Sequence, residues 1–568
     1  MVTVGHPDEA VATRPKQRSP FVLAAGSGLG LWLTFPPADW GWLAWVMLVP
    51  LFLLIDRPGP RWAIYLGGWL GGLVFWLLAV QWVRLSDPSS WLAWVVLALV
   101  LSVSWPLFLF LTRWARQRLE LPLILAAPIV WVALEYGRAH IVSGFPWYYL
   151  AHTQHDLVPL IQISDITGSL GVSLLVALVN AWIVDLLTLP LIRTTASGLR
   201  LTRPQLARAS AVALAVTGSL AYGAVRLSQA TMPPGPRVAL LQSSLVQRLK
   251  MGGDPNRLLD VYRVLVDKAV RLAERPDLVV WPETSFPFSY VTIDPRVDDA
   301  TLGTQIARIA PSLTVGEWRS RATTIASLLQ GWADQSNVAM IVGTIAYEHT
   351  VDQHQKFNSA LVFEPGRRSP QAYHKIHLVP FGEYVPFITA FPWLVALTPY
   401  DASYVPSLAF GPGPSWLDVG TYRYAVAICF EDTVPHVTRR FFSEVPDSRA
   451  PDVLVNLSND GWFGGSSEHE MHLFVSLFRA IENRVPLVRA ANTGISAIVD
   501  GNGRIVSILN QRDDEGIIKE GVLSGTVPLD PRASLYIAWG DWLGLSCLAV
   551  AVGLIPLTYL RPRLMRPR

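Results

Sequence analysis

Eight apolar runs dominate this 568-residue sequence and constrain its fold more than any other feature. Each is close to the roughly 20 residues that a helix needs to cross a bilayer, and the first two are short enough to form a hairpin. Hydrophobic residues make up 51% of the chain and charged residues only 16%, which is typical of membrane proteins. The sequence predicts a transmembrane bundle of about eight helices, over residues 20–37, 40–56, 63–83, 91–112, 122–138, 168–192, 205–227 and 536–560.

Basic residues lie in alternate loops between these runs, and such loops face the cytoplasm. The opposite loops carry little beyond Arg84 and Arg138. Both termini should therefore be cytoplasmic, and the N-terminal tail lacks the apolar core of a cleaved signal peptide. The basic positions are Arg14, Lys16, Arg18, Arg57, Arg61, Arg113, Arg116, Arg118, Arg193, Arg200, Arg203, Arg208, Arg561, Arg563, Arg566 and Arg568.

A more polar segment of about 300 residues separates the seventh run from the eighth, and by the same parity it lies outside the cytoplasm. That length suits one large globular domain. We expect a polar tail, seven helices, this domain, an eighth helix and a basic tail, over residues 1–19, 20–232, 233–530, 531–560 and 561–568.

Short β-rich runs alternate with helical stretches in the large domain, which predicts an α/β fold. Asp500-Gly-Asn-Gly503 lies between two apolar runs and predicts a hairpin, because these residues tolerate positive φ. Part of the sheet should therefore be antiparallel. The predicted strands are Val238–Gln242, Leu278–Trp281, Val338–Val342, Tyr424–Ile428 and Val453–Asn456.

The chain has two cysteines, Cys429 and Cys547, and we expect no disulfide because Cys547 lies in the last apolar run. Cys429 directly follows a predicted strand, so a sharp turn there would expose its sulfur as a nucleophile. On local sequence alone, a buried core cysteine is the commoner outcome. The net charge is only +3, so we expect no nucleic-acid partner.

Two other residues match the needs of a cysteine nucleophile. Glu283 follows a strand that ends at Pro282 and suits a general base, although for this residue alone a capping or solvated glutamate is the commoner outcome. Lys375 lies in a proline-interrupted segment that also contains Glu383. An ammonium near the sulfur would favour the thiolate and stabilise an oxyanion.

These three residues, in this order, resemble the Glu-Lys-Cys triad of the nitrilase superfamily. Longer motifs resemble bacterial apolipoprotein N-acyltransferases, and Gly144-Phe-Pro-Trp147 with Gln154 looks like that family's periplasmic loop. Two departures are Ile376, where a basic residue is common, and a long stretch over 292–319. The motifs are His374-Lys375, Leu378-Val-Pro-Phe-Gly-Glu-Tyr-Val-Pro386, Asn456-Leu-Ser-Asn-Asp-Gly-Trp-Phe-Gly464 and Arg489-Ala-Ala-Asn-Thr-Gly-Ile495.

The resemblance implies an αββα sandwich outside the bacterial cytoplasmic (inner) membrane. It implies that Cys429 takes the sn-1 acyl chain of a phospholipid as a thioester and passes it to the N-terminal amine of a diacylglyceryl apolipoprotein. Glu283 would be the general base and Lys375 the oxyanion stabiliser, with ping-pong kinetics and no cofactor. Supporting residues would be Glu383, Glu431 and Phe430.

Large apolar residues near the motifs are candidates for contacts with lipid chains or for a lid, although an ordinary packed loop fits them as well. They are Phe387, Phe391, Trp393 and Trp462, with Leu394 beside them.

Two other interpretations of function remain open at this point. One is a membrane-tethered amidase or nitrilase that passes its acyl group to water. Another is a receptor or transporter whose nitrilase-like domain only binds a ligand. Metal binding is disfavoured because no zincin-type motif is complete around His374, His377, His469 and His472.

Overall fold

The computed structural model describes residues 18–564 except 88–89, 190–191, 196–197, 246, 393–406, 448 and 514–517. Its N-terminal part is helical, with one short antiparallel hairpin. In chain order the elements are α1 (Pro20–Trp32), α2 (Ala44–Met47), α3 (Val49–Phe52), α4 (Arg61–Ala79), α5 (Ser90–Ser102), α6 (Ser104–Leu119), α7 (Leu123–Arg138), α8 (Val158–Ile161), α9 (Ser164–Thr167), α10 (Ser169–Thr188), β1 (Ile192–Thr195), β2 (Gly198–Leu201) and α11 (Arg203–Ser228).

A helix occupies each of the seven apolar runs that precede the large domain, but not every helix is long. Among the described residues, four helical stretches are long and apolar enough to cross a membrane, namely α4, α5 with α6, α10 and α11. Helix α1 has only 13 residues, and the chain leaves it at Leu33 through tighter turns in which Thr34 and Phe35 donate to the carbonyls of Leu31 and Trp32. The bundle of several apolar helices is therefore present, while the number eight stays a prediction.

The C-terminal part alternates strands with helices before a final apolar helix. Its elements are β3 (Pro234–Gln242), α12 (Gln247–Gly252), α13 (Pro255–Val270), β4 (Leu278–Val280), β5 (Tyr290–Ile293), α14 (Asp299–Ile306), α15 (Val315–Ser336), β6 (Ala339–His349), β7 (His354–Phe363), β8 (Gln371–His374), β9 (Trp416–Val419), β10 (Tyr422–Ile428), α16 (Pro435–Ser443), β11 (Val453–Ser458), α17 (Glu468–Asn483), β12 (Leu487–Ala491), β13 (Ser496–Val499), β14 (Ile505–Leu509), β15 (Gly521–Pro528), α18 (Leu535–Trp539) and α19 (Trp542–Leu564).

Two sheets form the centre of this part. One has the order β15-β3-β4-β6-β7-β8, with β5 paired to β6, and the other has the order β14-β13-β12-β11-β10-β9. Side chains alternate between the two faces of a strand. Leu240 and Val280 accordingly pack against the second sheet, whereas Leu241 and Val279 pack against helices α13 and α15. The predicted α/β sandwich is confirmed, and all five predicted strands are present.

The predicted hairpin at Asp500 is also present, because β13 and β14 pair antiparallel on either side of it. Gly503 has φ +77°, a conformation that favours glycine. The Asp500 carboxylate accepts hydrogen bonds from the backbone N–H groups of Asn502 and Arg504, each at 2.9 Å. The turn is therefore closed by its own side chain as well as by glycine.

Ion pairs and apolar contacts join the bundle to the sandwich. The Asp165 carboxylate, at the N-terminal end of α9, pairs with Arg226 of α11 at 2.8 Å and with Arg484 of the sandwich at 2.7 Å. Phe430 and Phe463 pack against the bundle core. Since Phe430 directly follows Cys429, this junction places the nucleophile candidate beside the apolar helices.

Candidate active site

Cys429 lies at a strained turn directly after β10. Its φ is +52°, which is uncommon for a residue other than glycine, and it begins a 3₁₀ turn over Cys429–Thr433. The Asn456 side chain donates a hydrogen bond to the Cys429 carbonyl at 3.2 Å, and Arg489 in turn donates to the Asn456 Oδ1 at 2.7 Å. Side chains from two neighbouring strands therefore hold the elbow that the sequence predicts.

Glu283 extends from the turn after β4 and is 7% exposed. Asn358 of β7 donates from its Nδ2 to the Glu283 Oε1 at 2.7 Å and to the Glu383 Oε1 at 2.9 Å, so one amide joins two carboxylates. Gly343 of β6 lies directly under this turn, and a Cβ there would stand 2.1 Å from the Pro282 carbonyl oxygen. The position of Glu283 is thus fixed from both sides.

Lys375 follows β8 and is 1% exposed. Its Nζ lies 2.8 Å from the Glu383 Oε2 and 3.7 Å from the Glu283 Oε1. Both contacts are ion pairs between buried or nearly buried groups. The structure therefore brings Lys375 together with both carboxylates of the predicted site.

The electrostatic environment favours a neutral Cys429 thiol and raises the basicity of the Glu283 carboxylate. Burial raises the pKa of Cys429 well above its usual range, Glu283 raises it further, and Lys375 opposes the shift. Burial also raises the pKa of Glu283 against the effect of Lys375. Burial lowers the pKa of Lys375, but Glu383 and Glu283 outweigh it and the net shift is upward. The ammonium thus stays charged while Glu283 is well suited to accept a proton.

Glu431 has a different environment from Glu383. Its Oε1 accepts hydrogen bonds from the backbone N–H groups of Ile376 at 2.7 Å and His377 at 2.9 Å, and its Oε2 accepts one from Ile428 at 2.6 Å. Burial raises the pKa of Glu431 to about 7, with Lys375 acting in the opposite direction. Glu431 therefore joins the segment after Lys375 to the strand that ends at Cys429, and its carboxylate faces the backbone.

The aromatic candidates fall into two groups. Phe430 stacks on the His377 ring at 5.8 Å, and the His377 Nε2 donates to the Ser143 carbonyl in the loop after α7 at 2.8 Å. Phe387, Phe391 and Trp462 are 63%, 50% and 38% exposed, and their contact with lipid stays a prediction. Trp393 and Leu394 lie outside the described residues.

The four histidines weighed for metal binding do not form one cluster. His374 contacts Glu348 at 3.0 Å, and His377 contacts the Ser143 carbonyl instead. His472 lies between Asp432 and Asp460, at 3.0 and 3.2 Å. The last group is buried and carries Arg489 as a further partner of Asp460 at 2.6 Å. The ion pair between His472 and Asp460 holds the loop after β11 to helix α17.

Two residues of the site had no signal in the sequence. Asn358 is an ordinary strand residue until the pairing of β7 with β6 is known. Lys250 of α12 donates from its Nζ to the Glu283 carbonyl oxygen and to the Thr284 Oγ1, each at 2.9 Å. Only the folding of α12 over the strand ends brings this lysine to the turn.

Comparison with known proteins matches both parts of the chain. Residues 27–182 match the family model of the apolipoprotein N-acyltransferase N-terminal domain, and residues 237–530 match the carbon-nitrogen hydrolase model. An apolipoprotein N-acyltransferase of Geobacter metallireducens is 34% identical over 96% of this chain and 96% of its own length. The chain belongs to the apolipoprotein N-acyltransferase family.

Other members of the apolipoprotein N-acyltransferase family match over similar lengths. The protein of Rhodopirellula baltica is 28% identical over 93% of this chain and 95% of its own. The protein of Haemophilus ducreyi is 30% identical over 92% of this chain and 94% of its own. A solved amidase from Nesterenkonia sp. AN1 is 17% identical over 54% of this chain and 95% of its own, with a TM-score of 0.35.

Proposed function

We propose that this protein moves the sn-1 acyl chain of a membrane phospholipid to the N-terminal amine of a diacylglyceryl apolipoprotein, through a thioester on Cys429. The observation that carries the proposal is the strained turn at Cys429, where Glu283 and Lys375 are close enough to perturb the pKa of the thiol. The chain matches relatives named apolipoprotein N-acyltransferases over nearly their whole length. The site and the family thus point to the same acyl transfer.

In the first half-reaction, Glu283 accepts the thiol proton as the Cys429 sulfur attacks the ester carbonyl. The Lys375 ammonium stabilises the oxyanion of the tetrahedral intermediate, because its charge is preorganised in a buried site. As the carbon–oxygen bond breaks, Glu283 returns the proton to the departing alkoxide. A lysophospholipid leaves, and the acyl chain stays on sulfur.

In the second half-reaction, the α-amine of the lipoprotein attacks the thioester, and Glu283 takes a proton from that amine. The carbon–sulfur bond breaks, Glu283 returns the proton to the thiolate, and an amide and the free enzyme result. Burial favours the neutral thiol before each cycle, so the proton transfer to Glu283 is part of the chemistry. The kinetics are ping-pong.

The membrane supplies both substrates to this site. About eight helices with cytoplasmic termini would place the sandwich outside the cytoplasmic membrane of a bacterium. Phe430, next to the nucleophile, and Phe463 both pack against the bundle core. Phe387 and Phe391, in the segment after Glu383, are exposed apolar side chains. Lateral diffusion then brings the acyl donor and the lipid-anchored acceptor to one place.

The decisive test is incubation with phosphatidylethanolamine radiolabelled in its sn-1 acyl chain. A thioester is recognised because hydroxylamine removes its label from the protein. We expect the Cys429→Ala variant to carry no such label. Cys547→Ala is the matched control, because Cys547 lies in α19 and packs among the bundle helices. Adding a diacylglyceryl peptide should then move the label to its amine. Release of free fatty acid instead, or equal label on Cys429→Ala, would refute the proposal.

Two further variants separate the roles of the partners. Glu283→Gln should slow thioester formation by about 10²- to 10⁴-fold, because no base then accepts the thiol proton. Lys375→Met should slow it by about 10²- to 10³-fold, which is typical of a lost oxyanion partner. Neither change should abolish binding of the lipid, which co-sedimentation with vesicles of the labelled phospholipid would measure.

A further inference from the structure

Lys250 is a second lysine that contacts the Glu283 turn, at atoms that Lys375 does not contact. Its Nζ donates to the Glu283 carbonyl oxygen and to the Thr284 Oγ1, each at 2.9 Å. Lys375 contacts the side chain of Glu283, whereas Lys250 contacts its main chain. Two ammonium groups from different parts of the fold thus contact this turn.

This turn needs such support because its backbone is strained. Thr284 has φ +44°, and a β-branched residue is rarely found there. Residues held in such conformations cost about 1–3 kcal/mol and persist only where their surroundings fix them. The Ser285 hydroxyl donates to the Pro282 carbonyl at 2.7 Å, and Lys250 is the charged donor in the same turn.

Helix α12 is itself held in place by the loops beside the nucleophile. The Gln247 Oε1 accepts from the Asn459 side chain at 2.9 Å, and the Asn459 Oδ1 accepts from Asn492 at 2.9 Å. Asn492 also donates to the Leu245 carbonyl at 2.9 Å. Lys250 is therefore carried by a segment that is tied to the ends of β11 and β12.

We infer that Lys250 is a positioning residue of the acyl transfer, which fixes the Glu283–Thr284 turn and adds positive charge beside Cys429. Only its effect on acyl transfer rests on the proposed function, since its effect on the thiol needs no lipid. The titratable groups that face it are Glu283 and Cys429, and the ionised form of either favours the protonated form of Lys250. Burial lowers the pKa of Lys250 to about 8, so it is a cation at neutral pH.

The first test is alkylation of Cys429 by iodoacetamide without lipid, followed by mass spectrometry across neutral and alkaline pH. Lys250→Met should slow alkylation at neutral pH about tenfold, because losing a nearby cation raises the pKa of the thiol. Lys250→Arg keeps the charge and should stay close to wild type. Lys268→Met is the matched control, since Lys268 is exposed and pairs with Glu520 at 3.6 Å.

The second test is thioester formation from labelled phosphatidylethanolamine. Lys250→Met should be about 10- to 100-fold slower, as expected when a base is displaced by a fraction of an ångström or more. Wild-type rates should fall as pH rises through about 8, where Lys250 loses its proton, and Lys250→Arg should not show this fall.

The inference would be overturned if Lys250→Met were alkylated and formed the thioester at the same rates as the wild-type protein. If that variant does not fold, an unchanged alkaline fall in Lys250→Arg would overturn it instead. If phosphatidylethanolamine labels no variant, the proposed donor is wrong, and the alkylation profiles still decide the role of Lys250.

Discussion

Replacing Gly343 with alanine should impair catalysis without touching any reactive group. The new Cβ would stand 2.1 Å from the Pro282 carbonyl oxygen and 2.9 Å from the Glu283 Cα, and real Cβ contacts are almost never below 3.0 Å. The turn that carries Glu283 must therefore move away by about 1 Å. A displacement of that size between reacting groups costs roughly 10²-fold in rate.

The assay is the initial rate of hydroxylamine-sensitive labelling by phosphatidylethanolamine, with thermal unfolding in detergent measured in parallel. Gly331→Ala is the control, because nothing lies within 4 Å of a Cβ at that position of α15. Alanine should also favour that helix by about 1 kcal/mol. A Gly343→Ala protein that folds and forms the thioester at the wild-type rate would refute the reasoning that the close approach to β6 positions Glu283.

Three further outcomes follow from the contacts described above. The rate of thioester formation should fall as the pH drops through the pKa of Glu283, because protonated Glu283 cannot accept the thiol proton. That pKa lies above the value of an ordinary glutamate, and a pH profile of the labelling rate tests this. Glu431→Gln places an amide against backbone donors and should cost about 1–3 kcal/mol in thermal unfolding, whereas the exposed Glu444→Gln should stay within about 0.5 kcal/mol of wild type. Asp165→Asn leaves the buried Arg484 without its counter-charge and should cost about 3–5 kcal/mol, seen as faster proteolysis between bundle and sandwich.

Local sequence rules predicted much of the sandwich. The runs around Leu278 and Tyr424 are β-rich and end in turn-forming or polar residues, so both the strands and the placement of Glu283 and Cys429 at strand ends could be foreseen. The Asp500 hairpin is equally local. Helix lengths were less predictable, because the apolar run over 20–37 continues past Trp32, where helix α1 ends, and hydropathy does not register that end.

Contacts between distant strands could not be foreseen. Asn358 reaches two carboxylates only because β7 pairs with β6 in one particular register. Lys250 lies 33 positions before Glu283 along the chain, and its contact depends on how α12 folds back. Glu431 follows Cys429 by two residues, which suggests a pocket residue, but the 3₁₀ turn directs its carboxylate to the backbone. Sequence indicates which residues are reactive, and tertiary structure determines what their neighbours do.

The hydrogen bonds of Glu431 have a consequence for how this family can diversify. One carboxylate holds the backbone on both sides of the chemistry, after Lys375 and before Cys429. The exposed segment that contains Phe381 and Phe387 begins beyond that anchor. Substitutions of the exposed Phe381 and Phe387 should leave the spacing of the proposed reacting atoms unchanged, whereas Glu383 between them is paired with Lys375 at 2.8 Å and cannot vary as freely. If these phenylalanines contact lipid as proposed, substrate range and catalytic geometry depend on different side chains of one domain and can evolve separately.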